Sequence, residues 1–385
     1  MHAKRFLHKL LGISIHEKRK QLLEEVLTVL VKLKQMSLTA VGRGFDNGTQ
    51  ERSGIQKMNR LLGNEYYQEK NKGIYGETCS YVVGMKQRPV LIVDWSKLPN
   101  VEACVLRASY ASEGRAITIY EEVHESKRLG NHKVHVKFLE ELKSLLPEVC
   151  CPIIVTDAGF KNPWFKAVLK LSWDYIGRVR GKTKYTDGKE YLPCEALHGK
   201  ATETPAYLGE KKLSRKGSLG THFYIVRQTL KGRICKDKKG KKSRDKDSIN
   251  YGRSYREPWL LVSSLSGVMA AKKVSNIYKR RMTIEESFRD MKSSRYGLSM
   301  EENKTQKQAR LIVWLMLAAL ACLWAWIVGY VAEKAGLHRQ FQANTIRNRR
   351  VLSFFYLGCQ VIRKNTKIPI DFRTIQFFNE ETFYA

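Results

Sequence analysis

The chain has 385 residues, about 2.6 times the length of a typical domain of ~150 residues, so its length predicts two or three domains. With 43% apolar and 28% charged residues it can bury a sizeable core, which excludes a wholly disordered chain and a small disulfide-stapled scaffold. The formal net charge of +32 favours a polyanionic partner, either a nucleic acid or an anionic membrane surface.

The eight cysteines are scattered along the chain, without a CxxC pair and without clustered histidines. This pattern favours a reduced environment and argues against structural zinc. The N-terminal segment is interrupted by His and Lys, so it lacks the apolar stretch of ~7 to 15 residues that a secretion signal requires. We therefore expect a cytoplasmic protein.

Residues from about 17 to 64 have the periodicity of helices, with apolar residues recurring at helical spacing. Ser53 and Gln56 have the spacing of a capping box, which predicts that the last of these helices begins there. Four polar residues of this helix are expected to point outward: Gln56, Lys57, Asn59 and Arg60. Such side chains can donate to bases and phosphates, so the region is either a helix-turn-helix-like DNA module or an ordinary basic helical hairpin.

From about residue 85 the pattern changes to short apolar runs that are typical of buried strands. RPVLIVDWS, CVLRASY and AITIYEEV precede a predicted helix, and CPIIVTDAGF follows it, which together predict an α/β sheet. Asp94 and Asp157 each end an apolar run, where an acid points into the crevice in which α/β sheets bind ligands. Two acids placed in this way call for a divalent cation that cancels their repulsion.

Two strand-like segments, THFYIVRQ and EPWLLVSS, enclose the run KGRICKDKKGKKSRDK, which has nine basic residues in 16. Charge runs are usually solvated loops, and the length and sign of this one also suit a clamp on a DNA backbone.

The segment from Leu311 to Ala332 has 22 residues without a charge, enough to span a bilayer. Basic residues flank it on both sides and therefore give no orientation for a membrane span. A fully buried core helix is the favoured interpretation.

The segment NIYKRRMTIEESFRDMK has helical periodicity. At about 100° per residue, Tyr278, Arg281, Glu285 and Lys292 fall on one narrow stripe beside the apolar face. Glu286 is expected to point toward solvent. A Glu-Glu pair among basic residues also fits ordinary helical salt bridges, and only the two acids that end apolar runs favour a functional role for Glu285.

The spacing Tyr278-x2-Arg281-x3-Glu285-x6-Lys292 matches the Y-R-E-K signature, and the chain resembles the DDE transposases of the insertion-sequence-four family, especially its insertion-sequence-ten branch. The resemblance runs from about residue 20 to about residue 360. The segments that carry it are GRGF, RLLGN, VLIVDWS, VLRAS, TDAGFKNPW, REPWLL, IYKRRMTIEESFRDMKSSRYGL and FQANTIRNRRVLS.

The resemblance implies an α/β fold in which an RNase H-like catalytic core carries a β-rich insertion and follows a helical DNA-binding domain. The expected regions are the helical DNA-binding domain at 1–84, the first part of the core at 85–181, the β-rich insertion at 182–262, the second part of the core with the catalytic helix at 263–336, and a basic C-terminal region at 337–385. The uncharged segment then belongs to the core, and no membrane partner is expected.

For the chemistry, the resemblance implies an enzyme that moves an insertion sequence by cut-and-paste DNA transposition, through phosphodiester hydrolysis, strand transfer and a hairpin intermediate. Asp94, Asp157 and Glu285 would be the catalytic residues and would bind two Mg²⁺ ions, for which Mn²⁺ can substitute. The implied DNA-binding residues are Tyr278, Arg281, Lys292, Trp259 and Met282.

The implied partners are double-stranded DNA with the terminal inverted repeats of the element, target DNA, and a second copy of the chain in the complex with paired ends. Two other interpretations stay open: a silent regulator that binds DNA without cutting it, and a structure-selective nuclease without strand transfer. His132 and His135 have a spacing that metal ligands can adopt, but no third ligand lies near them in the sequence.

Overall fold

The computed structural model describes residues 11, 15–46, 48, 50–181, 183–229, 257–343, 345–346 and 348–369. These residues form two compact units. The first unit contains the described residues up to Cys150 and those from Met282 onward, and the second contains those from Cys151 to Arg281. Helices pack against strands in each unit, so the predicted α/β class is confirmed. The five predicted regions stay a prediction.

Among its described residues the first unit opens with five helices: α1 (Glu17–Leu33), α2 (Leu38–Arg43), α3 (Glu51–Leu62), α4 (Glu65–Glu69) and α5 (Asn71–Val82). The backbones of α2 and α3 touch, because a Cβ on Gly42 would lie 2.5 Å from the Cα of Ile55. Ser53 lies inside the first turn of α3, so the predicted capping box is wrong. Lys57, which was expected to point outward, is half-buried and ion-paired with Glu25.

Three antiparallel strands follow in the spatial order β3-β2-β1: β1 (Val90–Lys97), β2 (Ala103–Ala111) and β3 (Ala116–Glu125). β2 is buried along its whole length, which means that both of its faces are covered. The next helix, α6 (His132–Leu145), has a buried face with Phe138, Leu139 and Leu142. The three strands and this helix agree with the predicted order.

The second unit is a sheet with helices, and its described elements follow in chain order: β4 (Ile153–Thr156), α7 (Asn162–Lys170), β5 (Asp174–Arg178), β6 (Lys184–Thr186), β7 (Leu192–Pro193), β8 (Ala206–Leu213), β9 (Leu219–Val226), β10 (Trp259–Ser263) and α8 (Ala270–Lys279). Their strands are ordered β4-β5-β10-β9-β8-β6-β7. β4 and β5 are parallel and α7 connects them, as a parallel pair requires a crossover. The other pairs are antiparallel.

The first unit continues with helices α9 (Met282–Lys292), α10 (Gln308–Lys334), α11 (His338–Phe341) and α12 (Phe354–Arg363). Short 3₁₀ segments lie at Ser126–Arg128, Cys194–Lys200 and Met300–Glu302. Among the described helices, α10 alone is long and apolar enough to cross a membrane, and 89% of its apolar window is buried inside the protein. Gly329 and Gly358 bring α10 and α12 together, because a Cβ on either would overlap the other helix. The prediction of a buried core helix is confirmed.

Candidate active site

Asp94 lies inside β1 and not at its end, because pairing with β2 continues as far as Lys97. The prediction that Asp94 ends its strand is therefore wrong. The residue is half-buried, and its Oδ1 accepts a hydrogen bond of 2.8 Å from the backbone N–H of Trp95. Asp94 is directly opposite Arg107, and opposite residues in an antiparallel pair point to the same face of the sheet.

The contacts of Arg107 show which element covers the face of the sheet that carries Asp94. Arg107 is 2% exposed, and its Nε donates to Oε2 of Glu121 on β3 at 2.8 Å. Its Nη1 donates to Ser287 Oγ at 3.3 Å and its Nη2 to Met291 Sδ at 3.1 Å, and both partners belong to α9. The face of β1 and β2 that carries Asp94 is therefore the face against which α9 packs.

Glu285 lies in the first turn of α9 and is half-buried. Two turns later, Lys292 donates from Nζ to Ser96 Oγ at 2.6 Å and to the backbone oxygen of Lys97, so this side of α9 faces β1. Residues seven positions apart lie on nearly the same side of a helix, which puts Glu285 on that side as well. Asp94, Glu285 and Lys292 therefore belong to one interface between β1 and α9.

Lys292 has an unusual environment for a lysine. Burial lowers its pKa from 10.5 to about 8, and the charge of Arg107 acts in the same direction. The carboxylates of Asp94 and Glu301 oppose this shift. Because Ser96 and the strand backbone hold the ammonium group, it is a fixed cation beside Asp94 and suits an anionic ligand.

Glu286 belongs to a different set of contacts. It forms an ion pair with Arg289 and lies 3.9 Å from Arg115, which also pairs with Asp290. Its side chain is 39% exposed, so the expected orientation toward solvent is only partly correct. The salt-bridge interpretation thus fits Glu286, whereas Glu285 lies on the side of α9 that faces β1.

Asp157 belongs to the second unit and directly follows β4, so the prediction that it ends a strand is confirmed. Its Oδ1 accepts a hydrogen bond of 2.8 Å from the backbone N–H of Gly159. A Cβ on Gly159 would lie 2.9 Å from the same oxygen, so a side chain at this position would crowd the carboxyl group. The loop therefore holds the half-buried carboxylate of Asp157 directly after the end of β4.

The helix predicted around Tyr278 is interrupted: α8 ends at Lys279 and α9 begins at Met282. The predicted single stripe is therefore wrong, and only its part within α9, with Glu285 and Lys292, holds. The apolar spacing runs on across the interruption, so the pattern alone does not locate it. Met282, the first residue of α9, is half-buried.

In the second unit Tyr278 is 3% exposed and packs against Trp259, with ring centroids 4.9 Å apart and an edge-to-face angle of 77°. Trp259 itself is half-buried at the start of β10. Burial lowers the pKa of Arg178, and the nearby charges of Arg180 and Arg281 act in the same direction. Arg281 is thus part of a cationic group near Tyr278.

The three candidate metal ligands fit magnesium by donor type, since Mg²⁺ prefers carboxylate oxygens and retains water. Asp94, Asp157 and Glu285 are each half-buried, which leaves room for water beside each carboxylate. Within the described part of the chain, no group of three or more His, Cys, Asp or Glu side chains is already arranged around a common point.

The two histidines do not form a metal site. His132 is exposed, whereas His135 is buried and its Nε2 accepts a hydrogen bond of 2.9 Å from Trp95 Nε1. Burial lowers the pKa of His135 to about 4. A neutral imidazole bonded in this way has a structural role.

Sequence reasoning missed a buried network in which Tyr75 donates to Glu121 at 3.0 Å and Glu121 pairs with Arg107. The signal that points to it is the presence of charged residues inside two apolar runs, Arg107 in VLRAS and Glu121 with Glu122 in IYEEV. The basic run KGRICKDKKGKKSRDK, for which a solvated loop and a clamp on a DNA backbone were both open, lies outside the described residues.

The sequence of the chain matches a known protein family. The family model described as "Transposase DDE domain" matches residues 86–324, which is more than half of the chain. The matched range includes Asp94, Asp157, Glu285 and Lys292. None of the curated proteins matches the chain significantly.

Proposed function

The chain belongs to the family of transposases with a DDE domain, and on that premise we propose that it moves its own insertion sequence by cut-and-paste transposition. We assign it to the insertion-sequence-four family, to the insertion-sequence-ten branch, with an RNase H-like core. Its substrates are the terminal inverted repeats of the element and target DNA, which it joins in the cytoplasm as a dimer on paired ends.

The observation that carries this proposal is the interface between β1 and α9. It combines Asp94, Glu285 and the fixed cation of Lys292 within the family match. Carboxylates beside a held ammonium group can serve a phosphodiester, because the ammonium group cancels charge on the phosphate while the carboxylates bind metal. Asp157, at the end of β4, supplies the third carboxylate.

Asp94, Asp157 and Glu285 would hold two divalent ions, which when bound activate the attacking oxygen and stabilise the leaving oxygen. The side chain of Lys292 neutralises the phosphate that is attacked, and Ser96 keeps its ammonium group in position. Hydrolysis breaks the bond from phosphorus to the 3′ oxygen and frees a 3′-hydroxyl group. That hydroxyl group then attacks a second phosphodiester, from which another 3′ oxygen leaves.

We propose that the second strand is cut through a DNA hairpin, in which one base cannot stay stacked. An unstacked base costs a few kcal/mol, and an aromatic face returns ~1 to 3 kcal/mol. The half-buried ring of Trp259, supported by Tyr278, is our candidate for that face. The flexible side chain of Met282 is the candidate wedge. Arg281 contacts phosphates, and the buried Tyr278 packs beside this group.

The N-terminal helices are proposed to bind the ends of the element. Gln56, Asn59 and Arg60 are exposed on α3, although Asn59 also accepts a hydrogen bond from Arg310. Exposed side chains of these types donate to base edges and phosphates. This arrangement supports a DNA-binding role for the helical module.

The test is a reaction of the purified chain with linear DNA that carries both inverted repeats, a target plasmid and Mg²⁺. We expect excised element and products joined to the plasmid, and none with scrambled ends. Cutting without joined products would indicate a nuclease. Specific binding without cutting would indicate a regulator.

A further inference from the structure

The second unit contains a basic cavity of about 380 Å³ beside the start of α7. Its cationic lining residues are Lys161, Arg178, Lys184, Arg215 and Lys216, and no acidic side chain among the described residues lines it. The chemistry above does not use this cavity. Because the chain has a net charge of +32, positively charged side chains often lie close together on its surface. The evidence for a binding site therefore depends on the contacts that hold the cavity walls in place.

The walls are held by a buried side chain. Asn162 is 6% exposed, and its amide donates to the backbone oxygens of Leu213 at 2.7 Å and Gly217 at 3.2 Å. These bonds tie the turn between β8 and β9 to the first turn of α7. The backbone N–H of Ser214 donates to the oxygen of Lys184 at 2.7 Å, which fastens the same turn to β6. The two cations of that turn are therefore held at the rim of the cavity.

The lining separates apolar and charged groups. Phe160, Phe165 and Val179 supply apolar surface and are buried, so the cationic groups dominate the accessible rim. The first residues of α7 also line the cavity, and the start of a helix carries partial positive charge. A positively charged rim suits a phosphate group and does not suit an apolar ligand.

The cavity is close to Asp157 along the chain. Lys161 follows Asp157 by four residues, so their Cα atoms lie at most about 14 Å apart. Lys161 also donates from Nζ to the backbone oxygen of Ala158 at 2.8 Å, which joins the rim to the loop after β4. Since a DNA strand advances ~3.4 Å along the helix axis for each nucleotide, this span is roughly four nucleotides.

We propose that the basic cavity binds one or two backbone phosphates of the DNA strand that passes Asp157, within about four nucleotides of the bond that is cut. The proposal rests on the proposed function, because it assumes that Asp157 takes part in cutting. The ligand is a phosphodiester of DNA. Contacts of this kind fix the register of the strand and do not read its sequence.

Two triple variants test the proposal, and each removes three exposed charges from the second unit. The cavity variant is Lys184→Gln, Arg215→Gln and Lys216→Gln. The control variant is Lys166→Gln, Lys170→Gln and Lys189→Gln, none of which lines the cavity. Because all six side chains are exposed, we expect both variants to fold, which thermal unfolding checks.

The first measurement is the salt dependence of binding to DNA with the element's end. We expect the log–log slope to become flatter by about 0.9 to 1.8 in the cavity variant, which corresponds to one or two lost phosphate contacts. The control variant should retain the wild-type slope. This measurement needs no cleavage, so it separates loss of the contact from loss of activity.

The second measurement replaces single phosphates near the cut site by uncharged methylphosphonates. In wild-type and control protein, one replacement within about four nucleotides of the cut should slow cleavage. In the cavity variant the same replacement should have no further effect, because the contact is already absent. Independent effects at every position, together with equal slopes in the two variants, would overturn the proposal.

The outcomes also separate this proposal from the proposed function. If the wild-type protein cuts DNA and the cavity variant gives the same salt slope and the same methylphosphonate effects as the control variant, only the cavity proposal is contradicted. Wild-type protein that binds the ends but never cuts contradicts the transposase proposal. A further measurement compares the stability of the wild-type protein and the two variants with and without inorganic phosphate at constant ionic strength. If phosphate stabilises only wild-type and control protein while all DNA slopes agree, the cavity binds a free anion and the proposal is wrong.

Discussion

Asp94 and Arg107 are directly opposite each other on β1 and β2, but they differ in burial and in partners. Asp94 is half-buried at the interface with α9, whereas Arg107 is buried and ion-paired with Glu121. Arg107 also donates to Ser287 on α9. The ion pair thus connects the register of the strands to the position of the helix that carries Glu285.

Arg107→Ala should lower the free energy of unfolding by about 3 to 5 kcal/mol, because Glu121 would stay buried without its cation. Urea unfolding followed by circular dichroism measures this change. Arg128→Ala removes the same side chain at an exposed position and should stay within about 0.5 kcal/mol of wild type. Equal losses in the two variants would show that the buried pair does not stabilise the unit.

Glu285→Ala should abolish cleavage while binding to the element's ends stays nearly unchanged, and Asp94→Ala and Asp157→Ala should behave in the same way. Glu286→Ala should stay active and lose at most about 1 kcal/mol of stability, because its ion pair with Arg289 is partly exposed. Gel assays of cleavage and of binding distinguish these results. If Glu286→Ala is as inactive as Glu285→Ala, our assignment of the two faces of α9 is wrong.

Trp259→Ala should still nick the first strand and then accumulate nicked DNA, because the unstacked base of the hairpin loses its aromatic face. Denaturing gels resolve nicked and hairpin products. The variant also loses the ring contact with Tyr278, about 0.5 to 1.5 kcal/mol, so Trp259→Phe serves as a control that retains an aromatic ring. A folded Trp259→Ala protein that fails equally at nicking would assign the ring a structural role only.

His135 should make the protein less stable in mild acid. Burial lowers its pKa from 6.5 to about 4, so between these values the unfolded chain binds a proton that the folded chain does not. The free energy of unfolding should therefore fall as the pH drops through this range, by about 1 to 3 kcal/mol from this residue. Urea unfolding at several pH values measures the effect.

His135→Gln is the matched variant, since glutamine can also accept the hydrogen bond from Trp95 Nε1. It should retain stability near neutral pH and lose this part of the pH dependence. A variant with the same acid profile as wild type would mean that other groups cause the loss of stability.

Features that depend on neighbouring residues were determined by the sequence alone. The apolar runs predict β1, β2, β3 and β4, and the uncharged segment predicts the buried helix α10, because burial of apolar surface dominates at each of these positions. The position of Asp157 after its strand follows from the same local pattern. The resemblance to DDE transposases is confirmed by the family match, while membership in the insertion-sequence-four family stays a prediction.

Features that depend on distant segments were decided only by the tertiary structure. β1 continues past Asp94 because β2 pairs with its polar end, as far as Lys97. The pattern of apolar residues within β1 does not predict that pairing. Arg107 and Glu121 are buried together because two strands and α9 meet there. The basic cavity combines the start of α7, β6 and the turn after β8, which are far apart in the chain. The pairing of buried side chains and the assembly of a cavity from distant segments depend on three-dimensional contacts. The spacing of hydrophobic residues along the sequence does not specify these contacts.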